Sequence, residues 1–399
     1  MTVPESIVHT ILSAHNYYQQ PGGEDEVFAS EASLLEQYGH TVIRFVEHNS
    51  RIGTNNLRTA REAVWSQKSF RSLASAAKAG PDLAHFHNTF PLISPSAYYA
   101  MRQMGVPVVQ TLHNYRLLCP AATFLRDGVV CEECPESRSW LPAIRHRCYR
   151  DSRFGTTAVA GMLAFHRAAG TWQRMVNIYI ALSEFARKKF IEGGLPPEQI
   201  TVKPNFLAFD PSLGKGEGEY ALFVGRLAEE KGIRLLAQAW RRLSETPLII
   251  AGKGPLDSLE WPANVTAVGH QSKEQIFSLM RGARVLVFPS IWYECSPMTI
   301  IEAFACGLPV IASNIGSVPE YVTHRGTGLL FQPADVEDLV RQVRWAFTHP
   351  EELRAMRGAA RREYEQKYTA DQNYKMLMDI YSMALGRTGV HRTVYEPVA

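Results

Sequence analysis

The feature that most constrains this chain is an alternation that occurs twice. In the first half, short apolar runs at 7–14, 41–46, 81–86 and 106–112 read as strands, with helices predicted over 26–38 and 57–78 between them. The segments 167–175, 178–182, 184–192 and 201–203 continue the pattern. Strands alternating with helices build βαβ units and a parallel sheet. Around 205–219 the text changes to "NFLAFDPSLGKGEGEY", rich in Gly, Pro and charge, which reads as a linker. The alternation then restarts, with strands at 220–224, 248–251, 265–268, 285–288 and 310–312 and helices at 233–243, 273–281, 297–305 and 336–348. The expected fold is α/β, with two doubly wound, Rossmann-like domains facing across a cleft. The first covers 1–208 with a Cys-rich insert at about 115–153, and the second 209–369. A last helix and tail occupy 370–399. A cleft between two such domains is the default place for a ligand.

Composition narrows the function. Hydrophobic residues make up 46% and charged residues 20%, as in an ordinary globular protein. No apolar run reaches the roughly 20 residues that span a bilayer. The opening "MTVPESIVHTILSAH" lacks the basic region and cleavage site of a signal peptide, so a cytoplasmic protein is expected. Net charge is +3, and the stretch 138–153 alone holds five Arg against one Asp. One local basic patch is too little for a nucleic-acid binder.

The second half carries a chemical signal. In "WYECSPMTIIEAFACGLPVIAS", Glu294 and Glu302 stand in an apolar stretch, where a carboxylate needs a partner. Ser296-Pro297 reads as an N-cap followed by Pro at the first helical position, and Gly307 as the residue after the helix. Glu294 then lies in a strand-to-helix loop and Glu302 in the helix's second turn. Both sit at the carboxyl end of a parallel strand, beside a helix N-terminus suited to phosphate. Gly225 and Arg226 follow the preceding strand in "LFVGRLAEEKGI", and Lys231 precedes the next helix. Two cations there make an anion site, unless they merely pair with Glu229 and Glu230. "IIAGKGPL" adds Gly254 in a second Gly-rich turn, and "VGHQSKEQI" puts His270 after a third strand.

Taken together, the E-x7-E pair of Glu294 and Glu302, the upstream "GRLAEEKG" and the downstream "EAFACGLPVIASNIGSVPE" resemble glycosyltransferase family 4, retaining enzymes of the GT-B fold. The resemblance implies that Arg226 and Lys231 grip a donor diphosphate, Glu294 contacts the transferred sugar and Glu302 the nucleotide ribose. Ser296, Met298 and Thr299 fall within the implied donor site. One departure is Cys295-Ser296-Pro297, where the family has a glycine-rich loop; Pro297 has no N–H to give. In the first domain Gly22 and Gly23 match a Gly-Gly pair that lets backbone approach the ligands. His15, His87 and His113 each follow a predicted strand end, and His113 in "TLHNY" matches a position near the donor sugar. The implied reaction is a front-face displacement in which no nucleophile is assigned. With no D-x-D motif in the sequence, catalysis is expected to need no divalent ion.

These features lead to an expected glycosyltransferase that uses a nucleotide-diphosphate sugar, UDP being the first guess, and a glycan or lipid-linked acceptor in surface polysaccharide or glycolipid assembly. The alternatives are another GT-B enzyme, a phosphorylase or epimerase, or a non-catalytic nucleotide-sugar-binding protein. Two features lie outside this scheme. Cys119, Cys131, Cys134 and Cys148, with His146 as a substitute, could hold a structural zinc remote from the chemistry, stapling an insert with little core of its own. Arg138, Arg145, Arg147, Arg150 and Arg153, interleaved with Trp140, Leu141, Ile144 and Tyr149, suit a membrane surface on the inner face of the plasma membrane. The tail after 385 has no periodicity and is expected to be mobile.

Overall fold

The computed structural model describes residues 8–19, 22–53, 56–216 and 218–386; the C-terminal tail and Ile7 of the first expected strand lie outside them. The strands are β1 (Thr10–Tyr17), β2 (Thr41–His48), β3 (Leu83–Asn88), β4 (Val108–Leu112), β5 (Leu125–Arg126), β6 (Val129–Val130), β7 (Ile178–Ala181) and β8 (Ile200–Val202) in the first half. In the second half they are β9 (Ala221–Val224), β10 (Leu248–Ala251), β11 (Val265–Gly269), β12 (Val285–Phe288), β13 (Val310–Ser313) and β14 (Gly328–Phe331). The first sheet runs β2-β1-β3-β4-β7-β8 and the second β11-β10-β9-β12-β13-β14, with every pairing parallel. β5 and β6 form a separate antiparallel hairpin. The order reverses between β1 and β3 in one sheet and between β9 and β12 in the other. Open parallel sheets bind ligands at such reversals, beyond the strands' carboxyl ends.

The inner strands of the second sheet, β9, β10, β12 and β13, are mostly apolar and buried because helices cover both faces. In the second domain Leu222, Phe288, Ile300 and Phe304 pack on one side of the sheet, and Phe223, Trp240, Ile250 and Leu339 on the other. Fully burying each such side chain stabilises by roughly 1.5–3 kcal/mol. The last helix, Ala370–Gly386, leaves the second domain and packs Tyr374, Leu377, Ile380 and Tyr381 against Ile11, Leu83, Val109 and Ile178 of the first sheet. It therefore completes the first domain's core.

Several local expectations change. The single helix over 57–78 is two, Asn56–Val64 and Gln67–Ala76, because Ser66 caps the second by accepting from the Ser69 N–H at 3.3 Å. The 167–175 stretch is the end of helix Arg153–Ala168 and a separate short turn, Thr171–Arg174, divided at Gly170 with φ +64°. Helix Ser96–Gln103 and strand β14 were not expected. The 205–219 stretch is no free linker. Leu207 is buried and pairs with Thr369, and a Cβ at Gly214 would meet the Arg281 carbonyl oxygen at 2.4 Å. Its glycines let one backbone lie against another.

Candidate active site

The loop after β12 holds Glu294, only 9% exposed. Three donors converge on its Oε1: Lys231 Nζ at 2.6 Å, Trp292 Nε1 at 2.6 Å and the Ser290 hydroxyl at 2.8 Å. Burial pushes this carboxyl up, but the Lys231 charge and the hydrogen bonds outweigh it and hold it below its ordinary range. Glu294 is a fixed carboxylate, and Oε2 is the oxygen left for a ligand's hydroxyl. Glu302, 5% exposed, sits in helix Met298–Ala305 and is paired with Lys273. Here burial prevails over the lysine, and the carboxyl is raised. Lys273 also reaches Glu26 of the first domain at 2.9 Å, so one ammonium joins a carboxylate of the second domain to one of the first.

The other expected donor residues divide. Lys231 joins Glu294, whereas Arg226 is half-exposed and pairs with Glu230. Arg226 thus has the surface partner that the alternative expects, whereas Lys231 pairs with neither Glu229 nor Glu230 but with Glu294. Gly254 gives its N–H to Asp257 Oδ1 at 2.7 Å, and Gly225 packs beneath Gly252 in the neighbouring loop. His270 is exposed just past β11, and Thr299 is half-buried in the first turn of its helix. Ser296 is not the helix cap. The helix starts at Met298 with Pro297 as its cap residue, whose side chain has no oxygen to accept from the first helical N–H groups. The Ser296 hydroxyl instead accepts from Tyr321 Oη at 2.8 Å and from the Asn205 N–H at 3.3 Å. It ties the loop to the domain junction.

On the first domain's wall, Gly22 begins helix Gly23–Gln37, and Asp25 Oδ2 accepts its N–H at 2.8 Å. A Cβ at Gly22 would meet nothing within 4 Å, and one at Gly23 would touch Met298 Cγ at 3.7 Å. Gly22 thus faces open space, and Gly23 lies against the helix that carries Glu302. Asp25 Oδ1 lies 2.6 Å from Nε2 of fully buried His15. His87 Nδ1 lies 3.0 Å from His113 Nε2. Burial drives both rings toward the neutral form, His87 to about 3 and His113 also well below its ordinary value. Behind them, Glu31 faces His85 at 3.2 Å, His87 at 3.4 Å and Lys203 at 3.0 Å. That group has metal-like spacing, as do His15, Glu24 and Asp25, but in the first the cation is the lysine itself.

Motif spacing did not reveal Lys273, Asp25 or Glu24. Glu24 lies among Asn88, Asn114 and Tyr18, and burial followed by the nearby Asp25 pushes its carboxyl up to about 8. The only signal was "GGEDE" directly after the first strand, a cluster of acids at a helix start.

The insert sits against the loop that carries Glu294. It is not remote from the chemistry: Glu132, between Cys131 and Cys134, accepts from Tyr293 Oη at 2.8 Å, one residue before Glu294. Nor is it without a core, since Phe124, Trp140 and Ala143 join the first domain's interior. Trp140 is therefore buried under Arg167 and not presented outward, while Leu141 is 72% exposed and the five Arg of 138–153 are exposed.

Comparison with known proteins agrees with this geometry. Residues 9–210 match the model for Glycosyltransferase Family 4 and residues 207–363 that for Glycosyl transferases group 1. The chain is 32% identical over 164 residues to a sulfoquinovosyl transferase of Arabidopsis thaliana, covering 39% of this chain and 32% of the relative. It is 29% identical over 160 residues to a D-rhamnosyltransferase of Pseudomonas aeruginosa, covering 38% and 42%. The chain thus spans less than half the length of either relative. Among solved structures, a glycosyltransferase from Rickettsia africae superposes with TM-score 0.66 at 18% identity over 95% of this chain and 99% of that one. The Anabaena protein HepE in complex with UDP and glucose does so with TM-score 0.66 at 18% identity over 93% and 99%. Two parallel-sheet domains, a junction built on their reversal points and family matches that together cover 9–363 make one assignment: the chain belongs to glycosyltransferase family 4, the group 1 glycosyltransferases, on a GT-B fold.

Proposed function

We propose that this protein is a retaining glycosyltransferase. It moves a sugar from a nucleotide-diphosphate sugar to a glycan or lipid-linked acceptor in cell-surface polysaccharide or glycolipid assembly. The observation that carries the reading is the pair of buried glutamates, each held by its own lysine, at the carboxyl edge of the second sheet and near the open backbone at Gly22. Lys231 spends one N–H on Glu294 and has two more for a diphosphate. Arg226, exposed and held only by Glu230, adds a second cation. These groups would stabilise charge building on the leaving diphosphate, the largest single contribution in reactions of this kind. Glu294, a fixed carboxylate, orients the sugar and stabilises positive character at its anomeric carbon. His113, neutral, offers a hydrogen bond to a sugar hydroxyl, and the donor's own phosphate takes the acceptor's proton. The reaction as drawn uses no divalent ion.

UDP is the proposed nucleotide, supported by the UDP complex of the Anabaena neighbour. The surface-glycan role is supported by a relative named as an O-antigen chain mannosyltransferase of Escherichia coli, 36% identical over 132 residues. No helix among the described residues is long and apolar enough to cross a membrane. Exposed Leu141 and Phe154 amid exposed Arg145, Arg147, Arg150 and Arg153 support peripheral binding to an anionic surface. A thermal-shift series with UDP, GDP, ADP, CMP and dTDP tests the donor site. A ligand at 100 times its dissociation constant adds about 2.7 kcal/mol. The expected result is a shift with one nucleotide series that Arg226→Ala and Lys231→Ala abolish. A folded protein that no nucleotide shifts would favour the non-catalytic reading.

A further inference from the structure

Between β4 and helix Arg153–Ala168 the chain builds a lobe that the proposed reaction does not use. Cys119, Cys131, Cys134 and Cys148 all line one cavity in it, with an accessible volume of about 20 Å³. All four are free thiols and only half-buried. His146 does not line this cavity and faces Glu133 at 3.8 Å. The ligand set is therefore four sulfurs, gathered from a C-x2-C turn after the β5–β6 hairpin and from two distant points of the loop.

The lobe's tip is held without a core. Residues 125–139 include no buried residue. Yet seven of the eleven non-glycine residues with positive φ among the described residues fall between Ala122 and Asp151: Ala122, Phe124, Asp127, Arg138, Arg147, Arg150 and Asp151. Left-handed backbone at such residues persists only where the surroundings over-determine it. The tip also has a target. Glu132 accepts from Tyr293 Oη at 2.8 Å across the domain junction and binds Lys189, while Phe124 packs edge-on to the Tyr293 ring at 6.1 Å between centroids.

We propose that Cys119, Cys131, Cys134 and Cys148 bind one zinc ion, and that the zinc-closed turn aims Glu132 at Tyr293 and so latches the insert onto the loop that carries Glu294. A tetrahedral set with Zn–S of about 2.3 Å places sulfurs roughly 3.8 Å apart. No three of these sulfurs lie within 4.8 Å of one another, so the ion draws the side chains inward as it binds. Each thiol loses its proton to solvent on ligation, and four thiolates around Zn²⁺ leave a charge of −2. Arg126, which lines the same cavity and pairs with Glu133, sets a cation against it. The ion takes no part in group transfer; its effect is to hold a backbone turn.

The test does not depend on activity. Full-length protein purified without chelators is assayed for metal by mass spectrometry, and cobalt(II) is substituted to read coordination from its spectrum. The expected result is one zinc per chain, a tetrahedral thiolate spectrum with cobalt, and loss of metal in Cys131→Ser and Cys134→Ser but not in Cys306→Ala. Metal-free wild-type protein that takes up neither ion, or retention of the ion by both serine variants, overturns the site. Hydrogen exchange tests the latch on the wild-type chain. Chelation should raise amide exchange at least tenfold in 119–148 and also in 290–296 across the junction. Acceleration confined to 119–148 would leave a zinc lobe and overturn the latch. A donor-binding failure would touch neither readout.

Discussion

Lys231 and Lys273 each neutralise a glutamate that water would otherwise have to solvate, and the two pairs come out differently. Glu294 is held low and Glu302 is raised, although both are nearly buried. The difference lies in donors: Glu294 has Trp292 and Ser290 besides its lysine, all on one oxygen. This pair makes a prediction with a sign. A carboxyl lowered in the folded state adds stability that is present above its unfolded value, about 4.3, and lost as pH falls through the folded value. In Lys231→Ala burial prevails and Glu294 rises, so the variant holds an unpaired buried charge at neutral pH. Breaking a buried pair costs about 3 kcal/mol, the low end of the usual range, because the Lys231 side chain is 22% exposed. Urea denaturation should show that loss at pH 7 and a clearly smaller one near pH 4, where the variant's Glu294 is neutral. An equal loss at both values would mean that Lys231 supports the fold by packing on Trp292, 5.2 Å below its Nζ, and not by charge.

At the scale of elements, the loops that make the site are packed on each other before any ligand arrives. A Cβ at Gly252, φ +153°, would stand 1.8 Å from the Gly225 carbonyl oxygen, so the turn after β10 is pressed against the turn that carries Arg226. Gly252→Ala should cost about 3 kcal/mol in a denaturant titration, because backbone has to move. Gly22→Ala has open space and an extended φ of −134°, and should stay within about 1 kcal/mol of wild type. A large stability loss at Gly22 would mean that its openness is not reserved for a ligand. The same contrast explains how far the sequence could be read. The second domain's inner strands are mostly Val, Ile, Leu and Phe covered on both faces, so their pattern is plain. β14 was missed because it starts at Gly328, which looks like a turn; its Cβ would in fact strike the Val310 carbonyl oxygen of the next strand at 2.1 Å. Helix Ser96–Gln103 was missed because "SPSAYY" opens it with loop-forming residues. For the site, Glu294 and Lys231 were legible as a motif. Lys273 was not, since a lysine's partner 29 residues away and another 247 away are set only by folding. The insert's contact with Tyr293 was hidden for the same reason.

In the whole molecule the two halves are joined at several points, and the last helix is the one that reverses the chain's course. It returns to the first domain and meets a buried charge. Lys203, 1% exposed, puts Nζ 3.0 Å from Glu31 Oε2 and 2.6 Å from Asn373 Oδ1. Tyr381 Oη of the same helix lies 2.9 Å from His85 Nδ1, and Tyr374 Oη 2.9 Å from His40 Nε2. Burial would raise Glu31, but Lys203 and the two histidines hold it well below its ordinary value. One ion pair under the first sheet therefore sits between the imidazoles that lead to His113 and the helix that closes the chain. Lys203→Met should cost about 3–5 kcal/mol, since it strands Glu31 as a buried charge. Pairing it with Glu31→Leu should recover more than half of that, because a buried ion pair replaced whole by apolar groups is often nearly neutral. Both are read from urea midpoints at constant slope. If the double variant is no more stable than the single, the carboxylate has work beyond neutralising the lysine. The remaining neighbours, His85 and His87, would then be where to look, because their rings face Glu31 Oε1 at 3.2 and 3.4 Å and His87 Nδ1 lies 3.0 Å from His113 Nε2.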